Sequence, residues 1–195
     1  MIFINNFIKV YDQALDKSIC RNIINIFENA DKNNFQFFEN NGYPNFVRLK
    51  LSSFEGHEDY KDIFQEIRNS LESHKNKYIE SLKLTLGNEK YIMGFNDHSY
   101  DSLMIKKYNN NDKDKFDMHI DNFNNATSNR FLVMLYYLNT VGHGGHTHFP
   151  SLDIKISPEE GRLLIFPPNF LFPHAGLKPI SNSKYILTTY LIFNK

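Results

Sequence analysis

From residue 90 onward the chain is a succession of short apolar runs, and this limits the fold more than any other feature. The runs are "YIMGF", "LMIKKY", "FDMHID", "RFLVMLYYLN", "GHTHF", "RLLIFP" and "KYILTTYLIF", each cut off by Asn, Gly, Pro or Asp. Runs this short, rich in β-branched and aromatic side chains, read as strands rather than core helices. Short strands at regular spacing build a β-sandwich or jelly roll. The polar stretch "YNNNDKDK" (108–115) is a loop and not a linker, because strand signals resume at once.

The first 89 residues have a different character. A short strand near Ile2–Val10 precedes a helix that Asp16 or Ser18 can cap, with Cys20, Ile23, Ile24 and Phe27 at helical spacing. Residues 35–55 look extended. A longer helix from about Asp59 to Leu84 carries Ile63, Phe64, Ile67, Leu71, Tyr78 and Leu82 on one stripe. The expected architecture is α+β, mainly β, in a single domain over 1–195. Residues 1–89 form a helical and strand N-terminal support, and 90–195 form the β core with the helices packed outside it. A chain of 195 residues is long enough for one such core.

Bulk properties exclude several classes. Lysine plus arginine (22) equals aspartate plus glutamate (22), so no net charge draws the chain to nucleic acid or an anionic membrane. The single cysteine, Cys20, excludes an internal disulfide framework and cysteine-rich zinc sites, and its helical setting implies a packed thiol. The start "MIFINNFIKVYDQALD" lacks a basic leader and a long apolar centre, and no run approaches the roughly 20 residues of a membrane span. A soluble, cytoplasmic protein is expected.

Chemistry concentrates in "FDMHIDNF" (116–123). In a strand, His119 and Asp121 project to the same face, and a buried carboxylate beside an imidazole needs a partner. With His174 from "NFLFPHAGLKP" they make two imidazoles and one carboxylate, the set that suits a non-haem Fe(II) centre with open positions. Alone, the pattern is weak, since eight histidines make coincidences easy. Lys184, ten positions after His174, strengthens it: a cation on that strand could hold the far end of a dicarboxylate. Alternation puts Thr188 and Tyr190 on the face of Lys184. A rival zinc site at His146 and His148 is conceivable.

The C-terminal half resembles the 2-oxoglutarate- and Fe(II)-dependent dioxygenases of the prolyl 4-hydroxylase-like branch. The resemblance is carried by "HID" (119–121), "RFLVMLYYLN" (130–139), "GGHTHFP" (144–150), "GRLLIFP" (161–167) and "HAGLKPISNSK" (174–184), in order and spacing over roughly residues 100–193. It implies a double-stranded β-helix core. His119, Asp121 and His174 would be the catalytic iron ligands and Lys184 the anchor of 2-oxoglutarate. Tyr108, Tyr137 and Thr188 would be co-substrate contacts, with Arg130 and Tyr190 on the substrate side. It further implies O2 as co-substrate, ascorbate as reductant, and hydroxylation of a prolyl residue in a peptide or protein, yielding succinate and CO2. Loops 41–46 and 108–118 would cover the bound peptide. Lys at 184 leans towards the collagen-type and microbial enzymes. Three departures stand out: His146 replaces a common Glu, Tyr190 a common Trp, and Phe116 a common Tyr. The alternatives are the same chemistry on a free amino acid or other small substrate, or a β-helix binding module without turnover.

Overall fold

The computed structural model describes residues 3–38, 45–87 and 97–194. The expected strand "YIMGF" and most of the loop 41–46 lie outside the described residues. In chain order the strands are β1 (Lys9–Tyr11), β2 (Phe35–Phe38), β3 (Phe46–Lys50), β4 (His98–Tyr100), β5 (Met104–Tyr108) and β6 (Phe116–His119). They continue with β7 (Arg130–Tyr137), β8 (Thr147–Phe149), β9 (Ile154–Ile156), β10 (Leu163–Phe166), β11 (His174–Gly176) and β12 (Lys184–Phe193). The helices are α1 (Lys17–Asn29) and α2 (Lys61–Leu86).

Among the described residues the strands form two antiparallel sheets. The larger runs β1-β10-β7-β12-β5-β3-β2, with β4 also paired to β12, and the smaller runs β6-β11-β8-β9. The N-terminal segment therefore contributes strands as well as helices to the larger sheet.

Local chemistry accounts for the helices. The Asp16 carboxylate accepts a hydrogen bond from the Ser18 backbone N–H at 2.7 Å and starts α1. Cys20, Ile23, Ile26 and Phe27 are its buried residues; Ile24, expected among them, is only partly buried. The expected stripe of α2, from Ile63 to Leu82, is buried throughout. Gly87 ends α2 in the left-handed conformation (φ 66°), its N–H bonding the Lys83 carbonyl.

Both faces of the larger sheet are covered, which explains the near-continuous apolar runs of its central strands. Leu132, Met134 and Tyr136 of β7, with Leu187 and Leu191 of β12, pack towards the helices. Val133, Leu135 and Tyr137, with Ile186 and Tyr190, pack in a second core. That core lies between the sheets, where Phe149 of β8 and Phe166 of β10 meet edge to face. The pocket opens from it.

Candidate metal centre and adjoining pocket

Antiparallel pairing of β6 with β11 sets His119 directly opposite His174. Asp121 lies two residues beyond His119, its backbone N–H bonded to the Pro168 carbonyl at 3.0 Å. The result is a cluster in which one potential ligand atom from each of the three lies within 4.8 Å of the others. It is the one such three-ligand group among the described residues; His146 and His148 gather no comparable set.

The histidines are oriented alike. Nδ1 of His119 lies 2.8 Å from the Asp117 carbonyl, and Nδ1 of His174 lies 3.2 Å from that of Phe172. A carbonyl only accepts, so each Nδ1 carries the proton and each Nε2 keeps its lone pair. Those lone-pair nitrogens face Asp121, at 3.8 Å (His119 to Oδ1) and 3.4 Å (His174 to Oδ2). Phe116 stacks on the His119 ring with centroids 3.6 Å apart.

Electrostatics keep the trio ready to bind a cation. Burial, with repulsion from His174, pushes His119 down to about 4, and burial also lowers His174, so both imidazoles are neutral at pH 7. Burial alone would raise Asp121, but the neighbouring His174, His119 and Lys106, with the Tyr190 hydroxyl, hold it below the usual carboxylate range.

Opposite the trio, Lys184, Thr188 and Tyr190 of β12 and Tyr108 of β5 line the same pocket. Lys184 is only 2% exposed. Its Nζ donates to the Gly145 carbonyl at 2.9 Å and the Leu177 carbonyl at 3.4 Å, over the face of Tyr108. Burial pushes it down to about 7, and among the described residues no carboxylate pairs with it. The Gly144–Gly145 turn shapes this cradle: Gly144 has φ 79°, and a Cβ there would stand 2.5 Å from the Lys178 carbonyl oxygen.

Two expected contacts lie behind the wall. The Tyr137 hydroxyl donates to Thr147 Oγ1 at 2.6 Å, and it is Thr147 that faces the pocket. Arg130 stacks over the Tyr190 ring at 3.8 Å and donates to Asp101 at 3.0 Å. The sequence reading missed Lys106, a buried lysine on the pocket wall. Its signal was available, since Lys106 precedes Tyr108 by two positions on one strand.

This geometry can be set beside known proteins. A family model described as the 2OG-Fe(II) oxygenase superfamily matches residues 103–192, a stretch that holds the whole trio and Lys184. The chain also shares 40% identity over 65 residues with a protein of Acanthamoeba polyphaga mimivirus named "Putative prolyl 4-hydroxylase". That match covers 29% of this chain and spans about a quarter (27%) of the relative.

The fold of the chain is that of solved prolyl hydroxylases. The viral collagen prolyl hydroxylase of Paramecium bursaria Chlorella virus-1, in complex with 2OG, superposes with a TM-score of 0.68 at 18% identity, covering 96% of this chain and 97% of that one. A Trichoplax adhaerens prolyl hydroxylase in complex with a hypoxia-inducible-factor peptide also gives 0.68, at 19% identity over 96% and 84% of the two chains. A Pseudomonas putida prolyl-4-hydroxylase gives 0.68 at 14% identity, over 97% and 94%. The core is thus a double-stranded β-helix with helices outside it, as the sequence led us to expect. Among the described residues no helix is long and apolar enough to cross a membrane.

Proposed function

We propose that the chain, acting as one domain, is an Fe(II)- and 2-oxoglutarate-dependent hydroxylase whose substrate is a prolyl residue in a peptide or protein. The observation that carries this reading is the pairing of two sites in one pocket. Three ligand-type side chains converge within 4.8 Å, and facing them is a buried lysine met, among the described residues, by carbonyl oxygens and a ring and by no carboxylate. A buried ammonium without a counter-charge is costly, so such a site fits an anionic ligand.

The residues fit the group the family name implies. His119 and His174 would offer Nε2 and Asp121 one oxygen, a hard-to-borderline set suited to Fe(II). Lys184 would hold the far carboxylate of 2-oxoglutarate through a charge-assisted hydrogen bond, with Tyr108 and Thr188 beside it. When bound, the metal and 2-oxoglutarate supply the oxidising power by which O2 hydroxylates a C–H bond, with succinate and CO2 as co-products. The chain's own part is positional. The Asp117 and Phe172 carbonyls fix the imidazole tautomers, Tyr190 fixes the Asp121 carboxylate, and Phe116, Val133, Leu135 and Ile186 keep the pocket apolar. The likeness to prolyl hydroxylases in fold and in the mimivirus relative's name supports the prolyl substrate.

The test is succinate formation by protein reconstituted with Fe(II) under anaerobic conditions and then exposed to oxygen, with and without proline-rich peptides. Peptide-stimulated turnover that is lost in His174→Ala and weakened in Lys184→Ala is the expected result. Absence of both turnover and metal-dependent 2-oxoglutarate binding would leave a binding module.

A further inference from the structure

Beyond its pull on Asp121, Lys106 is a pocket residue to which the chemistry above gives no role in holding the metal or 2-oxoglutarate. It lies on β5 opposite Ile186 of β12 and Arg48 of β3, on the same face as Tyr108. It is 9% exposed. Its Nζ stands 5.4 Å from the Phe46 ring and 5.8 Å from the Phe116 ring, and among the described residues it has neither an ion pair nor a hydrogen bond. Phe116 is itself stacked on His119, so this ammonium is one ring away from the ligand trio. Lys184 is held elsewhere, at the Gly145 and Leu177 carbonyls.

The charges of a loaded pocket leave Lys106 over, an argument that rests on the oxygenase reading. A divalent ion is offset by Asp121 together with the carboxylate that 2-oxoglutarate presents to it. The second carboxylate of 2-oxoglutarate offsets Lys184. Asp121 attracts Lys106 from nearby, but its charge is then taken up by the metal, and among the described residues no other anion offsets Lys106, while Arg48 and Arg130 add repulsion to the cost of its burial.

We infer that Lys106 receives a carboxylate of the substrate, so that the chain acts on an acidic substrate: a peptide with Asp or Glu beside the hydroxylated residue, or a free amino acid presenting its own carboxylate. Arg48 favours the peptide. Half-buried on the neighbouring strand, it faces the same side as Lys106, its Nε bonded to Gln36 at 2.9 Å, and it carries positive charge from the pocket towards the sheet edge.

The experiment is equilibrium binding of two labelled peptides that differ only in Glu or Gln after the proline. It is run on the bare protein and on protein loaded with Mn(II) and 2-oxoglutarate without oxygen. The loaded wild type is expected to bind the Glu peptide at least about ten-fold more tightly, as a charge-assisted hydrogen bond allows. The ratio should fall to near one in Lys106→Gln, persist in Lys106→Arg, and turn towards a Lys-bearing peptide in Lys106→Glu. Competition by free proline that depends on Lys106 would assign the carboxylate to a free amino acid. Equal ratios in wild type and Lys106→Gln would overturn the inference. So would a Lys106→Gln variant that loses 2-oxoglutarate affinity with its ratio intact. If wild type binds neither Mn(II) nor 2-oxoglutarate, the oxygenase reading fails by itself. The Glu-to-Gln ratio of the bare protein, compared between wild type and Lys106→Gln, then decides this one.

Discussion

The Tyr190 hydroxyl donates a 2.9 Å hydrogen bond to Oδ1 of Asp121, joining the larger sheet to the residue that would carry the only carboxylate ligand. Asp121 sits past the end of β6, where no ladder hydrogen bond steers its side chain. Tyr190 does that steering. Burial and the Asp121 carboxylate hold the phenol well above its ordinary range, against the opposing pull of Arg130 over its ring, so it donates at any working pH.

Tyr190→Phe is therefore expected to weaken divalent-metal binding by about ten- to a hundred-fold, as loss of an orienting partner does, with little change in melting temperature. Calorimetric titration with Mn(II) measures it. Unchanged affinity would mean that the carboxylate orients itself.

Lys184→Met separates stability from binding. Among the described residues this buried ammonium meets two carbonyls and the Tyr108 ring but no carboxylate, so replacing it with an apolar side chain of similar size should raise the melting temperature of the ligand-free protein. The same change should abolish 2-oxoglutarate binding. Thermal melts and binding titrations on one preparation give both signs. A fall in both would make the lysine a structural residue.

Acid should unfold the metal-free protein early. His119 binds its proton near 4 when folded, against an ordinary value of 6.5, so below pH 6.5 the unfolded chain takes up more protons. Stability is then full above 6.5 and falls as pH drops towards 4, and the lowered His174 and Asp121 act in the same direction. Urea melts across this range should show the slope, flattened in His119→Gln. A flat wild-type profile would contradict the burial argument.

Gly161→Ala tests how the N-terminal segment is tied to the β core. Gly161 has φ 81°, and a Cβ there would stand 2.4 Å from the Leu15 carbonyl oxygen. Its own carbonyl accepts from the N–H groups of Ala14 (2.8 Å) and Leu15 (3.2 Å). A loss of about 1–3 kcal/mol is expected from the strained conformation alone, read by urea unfolding.

Much of this was legible because burial leaves a mark on sequence. β7 and β12 are covered on both faces, so they spell continuous apolar runs. β4, β9 and β11 are three-residue segments ("HSY", "IKI", "HAG") that carry no such signal and exist only through the strands beside them. In α1 helical spacing alone admits either Ile24 or Ile26 beside Cys20, Ile23 and Phe27, and in the fold Ile26 is the buried one. The trio and Lys184 could be found by spacing, but the route from Tyr137 to the pocket through Thr147 could not, since it depends on how two sheets face each other. Lys106 was passed over because a strand lysine is ordinarily solvated, and only the second sheet encloses it.

β12 pairs with β4, β5 and β7 at once, and its odd and even positions serve opposite masters. Lys184, Thr188 and Tyr190 face the pocket while Leu187 and Leu191 face the helices. Inserting or deleting one residue within it would exchange the two sets, sending leucines into the pocket and a lysine into the helix interface. Length variation in this strand is thus confined to its ends, and the anion anchor and the helix contacts can only be inherited together.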